Sequence, residues 1–182
     1  MKEIEVKAHL RDEQTVISAL NKLGIELSPS TIQKDRVFFP KGLAPGGRPA
    51  APALRIRDQD GKYIFTYKLP QANQLDKIEH ESEISNPEAI AAMCEQLGFV
   101  EIIKLNKVRR KAHYNNYEIC LDEVEGLGSY IEVEKMSEED ALAVQEELFN
   151  FLKTLGIDSA DRVYKGYDLL MFDKIKLQNS IF

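Results

Sequence analysis

No apolar run in the 182-residue chain approaches the roughly 20 residues needed to cross a bilayer, and the N-terminus lacks the basic, apolar and small-residue succession of a signal peptide. A cytoplasmic location is the expectation. Cysteine is scarce: Cys94 and Cys120 have no metal-ligand spacing and sit in apolar segments, so they read as buried free thiols. Histidine is scarce as well, and His9, His80 and His113 show no ligand spacing. They read as surface or hydrogen-bonded side chains. An excess of positive charge is also missing. A net charge of -6 argues against broad binding of nucleic acid or of an anionic membrane, because both demand a basic surface. An anionic ligand can be held only where basic residues are gathered locally or metal ions assist.

What is present is a globular composition. With 43% hydrophobic and 30% charged residues, the chain can bury a core, and a single domain over residues 1–182 is expected. Helical spacing runs through DEQTVISALNKLG (Val16, Ile17, Leu20, Leu23) to Gly24. A second helix starts at Asn86-Pro87, where Asn can cap and Pro fits the first turn, and runs to Gly98. A third is expected from Ser137, with Asp140 completing an approximate capping box, to Gly156, and a short last one over Tyr167 to Lys174. Period-two alternation marks MKEIEVKAHL and residues 31–39, 53–58, 62–69, 77–84, 104–114, 117–123 and 129–135 as strands. The class is α+β. EIEVK followed by a helix ending LNKLGIE is echoed by YIEVEK followed by one ending LKTLGID, which suggests two related strand-helix units, each presenting paired glutamates. The segment PKGLAPGGRPAAPA, residues 40–53, cannot form regular structure, and no Gly-Lys-Ser/Thr follows to make it a phosphate loop. It reads as a hairpin loop, with a substrate-covering lid as the alternative.

The alternation sorts charge by strand. Glu3, Glu5, Lys7 and His9 share one face of the first strand, opposite Ile4, Val6 and Ala8; Arg55 and Arg57, then Lys107, Arg109, Lys111 and His113, form basic rows. Lys77, Glu79, Glu81 and Glu83 fall together, and Tyr130, Glu132 and Glu134 face away from Ile131 and Val133. A water-facing sheet surface alternates in the same way, but it usually mixes signs and includes Ser, Thr and Gln. If the sheet curls until its charged faces meet, unpaired buried charge becomes costly, and a polyanion with divalent cations would satisfy both signs. Carboxylates two residues apart on a strand lie roughly 7 Å apart, so Glu3/Glu5 and Glu132/Glu134, if adjacent, could converge as oxygen ligands for Mg²⁺ or Mn²⁺. The arginines and lysines would then hold phosphate oxygens.

Glu3-Ile-Glu5-Val-Lys7 resembles the Glu-x-Glu-x-Lys signature of the CYTH superfamily, the triphosphate tunnel metalloenzymes, which include class IV adenylyl cyclases and thiamine triphosphatases. The resemblance continues through Leu54-Arg55-Ile56-Arg57, Tyr67-Lys68, Lys107-Val108-Arg109, Leu121-Asp122, the stretch GLGSYIEVE at residues 126–134, and Tyr167-Asp168-Leu169-Leu170. It implies an eight-stranded antiparallel barrel, closed or nearly closed as a triphosphate tunnel, with helices packed outside. It also implies that Glu3, Glu5, Glu132 and Glu134 are metal ligands with Asp122 nearby, and that Lys7, Arg55, Arg57, Lys68, Lys107 and Arg109 bind phosphates. Glu81 matches a further acidic tunnel position, for which Glu79 and Glu83 compete. Two departures stand out: Asp35-Arg36-Val37 replaces the usual Asp-x-Tyr of the second strand, and Gly166-Tyr167 the usual Ser-Tyr before the closing Leu-Leu.

The implied chemistry is Mg²⁺- or Mn²⁺-dependent attack on a triphosphate, with Lys7 as the candidate basic group because neighbouring cations could depress its pKa. A ribose 3'-hydroxyl attacking the α-phosphate of ATP would give cyclic AMP and pyrophosphate; water would release the terminal phosphate of tripolyphosphate or thiamine triphosphate. Length, GLGSYIEVE and YDLL resemble the cyclase members. A non-catalytic polyphosphate- or nucleotide-binding module is the third reading. The expected partner is a small-molecule triphosphate, not nucleic acid or a membrane, and a homodimer is compatible with the sequence.

Overall fold

The computed structural model of the chain describes residues 2–46 and 51–179. The alternating segments become β1 (Lys2–His9), β2 (Thr31–Pro40), β3 (Ala53–Gln59), β4 (Lys62–Pro70), β5 (Asp76–Ile84), β6 (Phe99–Tyr114), β7 (Tyr117–Val124) and β8 (Gly128–Ser137). All neighbours pair antiparallel in the order β5-β4-β3-β2-β6-β7-β8-β1, and β5 returns to β1 through Glu3↔Lys77 and Ile4↔Asp76. The sheet therefore closes into the expected eight-stranded barrel. A two-residue β9 (Arg162–Val163) adds to β1 opposite Lys7 and Ala8. It is too short to leave a periodic signal. β6 begins at Phe99, earlier than its alternation suggested, because its first residues pair with the end of β2 beyond a bulge between Val37 and Phe38. Such a bulge bends the strand and raises its twist, which helps a sheet curl. Asp60-Gly61, both at positive φ, makes the tight connection between β3 and β4.

The helices are α1 (Glu13–Lys22), α2 (Pro87–Gln96), α3 (Ala141–Thr154) and α4 (Tyr167–Asn179). Asp12 caps α1 by accepting from the Thr15 amide at 3.0 Å, and Asn86 caps α2 through the Ala89 amide at 3.0 Å, with Pro87 at the first turn. The start of α3 differs from the sequence expectation. Ser137 is the last residue of β8, and Asp140 is itself the cap, accepting from the Ala143 amide at 3.0 Å. The last helix runs past Lys174 to Asn179. No helix among the described residues is long and apolar enough to cross a membrane.

Most apolar rows face outward, against the helices. Ile4, Val6, Ile119, Ile131 and Val133 pack on Val16 and Leu20 of α1 and on Val144, Leu148 and Leu152 of α3. Phe38, Leu54 and Ile56 pack on Ala91 and Cys94 of α2. A third cluster, Val37, Phe39, Leu105, Tyr130 and Tyr167 with Leu170 and Met171, sits where α4 crosses the barrel. The sequence echo is now spatial: β1 and β8 are neighbours, and their following helices, α1 and α3, share one core. With both cysteines buried and free as expected, the ionisable rows are left to the barrel interior.

Candidate active site

Because β1 and β8 are antiparallel neighbours, Glu5 lies opposite Glu134, and Lys7 opposite Glu132. Glu3, Glu5 and Glu134 each offer an oxygen, and the three lie within 4.8 Å of one another. Burial and then the Glu79 carboxylate push Glu3 up to about 7. Burial and then Glu3 push Glu134 well above the usual carboxylate range. Glu5 is partly offset by the Lys77 ammonium at 3.0 Å. Three crowded carboxyl groups, with Glu3 and Glu134 resisting ionisation, are hard oxygen donors of the kind that Mg²⁺ and Mn²⁺ take, and a divalent cation among them would remove the repulsion. The residues fit the group.

The other two expected metal ligands stand among cations. Glu132 pairs with Lys7 at 2.8 Å and with Arg109. Burial alone would raise its pKa, but Lys7 and Arg109 hold it well below the ordinary value. Asp122 accepts from Arg109 Nε at 2.7 Å, from Lys107 at 3.3 Å and from the Tyr167 hydroxyl at 2.9 Å. The structure therefore brings Glu3, Glu5 and Glu134 together, sets Glu132 in the same cavity among cations, and ties Asp122 to Arg109, Lys107 and Tyr167.

The six expected phosphate-binding side chains all reach one cavity with these glutamates. Arg57 is gripped by both oxygens of Asp35, each at 2.7 Å. Arg55 donates to Glu81 at 2.7 Å and Thr66 at 2.9 Å, and its Nε is buried without a protein partner. Lys68 pairs with Glu79. Burial and then Arg55 lower Lys68, while burial and then Arg109 lower Lys107 to about 8. Lys7 behaves differently from its sequence expectation. Burial favours its neutral form, but Glu132 and Glu5 outweigh burial and the pKa is raised, so the ammonium is held rather than depressed.

Several cavity residues had no assigned role. Lys77 and Glu79 sit between β1 and β4, yet along β5 they share their face with Glu81 and Glu83, and nothing in one strand says which of four charges points deepest. Asp35 clamps Arg57, and Tyr167 enters from the start of α4 with its ring 3.8 Å from Lys7 Nζ and 4.9 Å from Lys107 Nζ. Only the closing helix makes that contact, and no periodic signal announces it. At this end the cavity becomes apolar, bordered by Val37, Phe39, Ala53, Leu105 and Leu169. The loop over residues 40–53 contributes here: Gly46 abuts the Leu169 side chain, closely enough that an added Cβ would lie 3.2 Å from it, and Ala51 is buried. Residues 47–50, the middle of the loop read as a hairpin or a lid, lie outside the described residues.

A family model described as the CYTH domain matches residues 1–167. A protein of Methanocaldococcus jannaschii, provisionally named an adenylate cyclase, is 34% identical over 173 residues, with 92% of this chain and 97% of its own covered. Among solved structures, a protein of Pyrococcus horikoshii OT3 superposes with a TM-score of 0.79 at 27% identity, covering 94% of this chain and 99% of its own. A Hippeastrum protein, provisionally named an adenylyl cyclase and described as having a dominant triphosphatase activity, shares the fold at a TM-score of 0.62, 22% identity and 96% coverage of both chains.

Proposed function

Since this chain belongs to the CYTH domain family, we propose that it is a divalent-metal-dependent enzyme that takes the phosphate chain of an organic triphosphate into its barrel, and that its reaction converts ATP to cyclic AMP and pyrophosphate. The observation that carries the reading is one cavity with three kinds of wall: crowded carboxylates at Glu3, Glu5 and Glu134, buried cations opposite them, and an apolar end. Inorganic tripolyphosphate has no use for the apolar end. A nucleoside does, and Phe39, Val37 and Leu169 offer its base a surface.

In this reading Glu3, Glu5 and Glu134 hold the cation, with Glu132 and Asp122 tuning the charge beside it. The bound Mg²⁺ or Mn²⁺ supplies charge neutralisation on the phosphate oxygens. Arg55, with its free buried Nε, and Arg57 and Arg109, with their planar forks, orient the chain, and Lys68 and Lys107 add point charges. Lys7 keeps its catalytic place, but in its charged form. Fixed by Glu132 and Glu5, its ammonium meets negative charge as it develops on a phosphate oxygen, without reorganising during the reaction. The 3'-hydroxyl, held in line by the nucleoside's seat, attacks the α-phosphorus as the bond from that phosphorus to the bridging oxygen breaks, and the hydroxyl proton leaves with the released pyrophosphate.

Hydrolysis of the terminal phosphate is the second reading, favoured by the fold shared with the Hippeastrum protein. The two separate cleanly in one assay. Incubation with Mg²⁺ or Mn²⁺ and, in turn, ATP, thiamine triphosphate and tripolyphosphate is followed by chromatography of the products. Cyclic AMP with pyrophosphate is the expected result, orthophosphate selects the hydrolase, and three unchanged substrates overturn both.

A further inference from the structure

Tyr167 is a buried side chain in the cavity wall to which the reaction assigns no part. Most cations of the barrel are fixed by carboxylates: Arg57 by Asp35, Lys68 by Glu79, Arg109 by Asp122 and Glu132, Lys77 by Glu5. Lys7 and Lys107 also touch carboxylates, at 2.8 Å to Glu132 and 3.3 Å to Asp122. They alone among these cations share a third contact, the buried ring of Tyr167, 3.8 Å from one ammonium and 4.9 Å from the other. The Tyr167 hydroxyl donates to Asp122 at 2.9 Å, and the ring meets Tyr130 edge-on with centroids 5.2 Å apart. Just upstream, the Lys165 carbonyl accepts from Lys7 Nζ at 3.3 Å.

We propose that Tyr167 is a positioning residue for phosphate binding, whose ring contacts both the Lys7 and the Lys107 ammonium and holds each in the cavity that takes the incoming triphosphate. The inference rests on the triphosphate reading above and deepens it. Glu132 and Asp122 attract these ammoniums as charges, but of these contacts only the ring is shared by both. An aromatic face attracts each through its quadrupole, yet carries no net charge and takes up no N–H donor in a directed bond. A carboxylate in the same place would neutralise the pair and would have to be displaced before phosphate could bind. The ring thus keeps the lysines placed while leaving their charge for the ligand. Its hydroxyl does a separate task, anchoring Asp122 and through it Arg109.

The test compares Tyr167→Phe, which keeps the ring, with Tyr167→Leu, which removes it. Two readouts are taken: calorimetric affinity for inorganic tripolyphosphate, and KM and kcat with ATP and Mg²⁺. The Leu variant should lose about tenfold in tripolyphosphate affinity and gain about tenfold in KM, and its kcat should fall as well, because Lys7 also serves the reaction. The Phe variant keeps the ring and gives up only the hydroxyl bond to Asp122, so it should lose clearly less than Leu on both readouts. If the Leu variant melts below the assay temperature, Tyr167→Met, whose unbranched chain refills the space, takes its place with the same expectation. A non-aromatic variant that binds like wild type overturns the proposal, as does a Phe variant that loses as much as Leu. If wild type itself binds no triphosphate, the functional reading falls and the inference falls with it; wild-type binding with an unaffected Leu or Met variant sinks the inference alone.

Discussion

Glu3 carries a pH dependence whose sign follows from its surroundings. Its carboxyl is raised from 4.5 to about 7, so between those values the folded protein keeps a proton that the unfolded chain has released. The stability it contributes is fully present below about 4.5 and is lost as pH rises through 7. Cation binding runs the other way, because the ligand must be ionised. The shift in Tm produced by Mg²⁺ should therefore grow between pH 6 and pH 8, and Glu3→Gln should flatten that growth. An Mg²⁺ shift that is constant across this range in wild type would contradict the crowded-carboxylate account. Residues of this kind were legible from sequence where the pattern was redundant. Glu3-x-Glu5 and Glu132-x-Glu134 appear twice, whereas Glu79 was hidden among three neighbours of the same periodicity, and the raised pKa of Lys7 depends on Glu132, which reaches it from another strand.

At the level of elements, helices and strands serve different ends. The strands carry the chemistry, and α1, α2 and α3 cover the apolar rows on the outside of the barrel. Leu148 of α3 is fully buried against β1 and β8, so Leu148→Ala should cost about 2–5 kcal/mol in urea unfolding while leaving metal affinity near wild type in the folded fraction. A loss below about 1 kcal/mol would mean that α3 is not the support for these strands. Asp140→Ala should cost about 1 kcal/mol, because Asp140 is the residue that caps α3. That boundary shows why element ends are hard to read. Ser137 and Asp140 both suit a cap, and only the pairing of Lys2 with Ser137 in the β1–β8 ladder assigns the first to a strand. The strands were read well, since alternation is strict wherever one face is apolar and the other ionisable. β9 and the early start of β6 depend on pairing partners and escaped it.

For the whole molecule, closure was inferable from the sorting of charge and from the family resemblance. Sorted acidic and basic rows made sense if they faced one another, and the β5–β1 pairing brings them face to face. A chain of net charge -6 can thus hold a polyanion by gathering its cations inside. Since those buried charges are only partly satisfied by one another, Mg²⁺ with a triphosphate at about 100 times Kd should stabilise the fold by about 2.7 kcal/mol, or roughly 5–11 °C in Tm. The central claim is that Glu5 and Glu134 hold the cation on which triphosphate turnover depends. Its most direct test is Mg²⁺-dependent turnover of ATP by wild type, Glu5→Gln and Glu134→Gln, each first checked for a cooperative melt. Both variants should fold, and Glu134→Gln should melt no lower than wild type because it removes a carboxylate that burial and Glu3 oppose. Both should lose at least about a hundredfold in turnover; full activity in two well-folded variants would contradict the account.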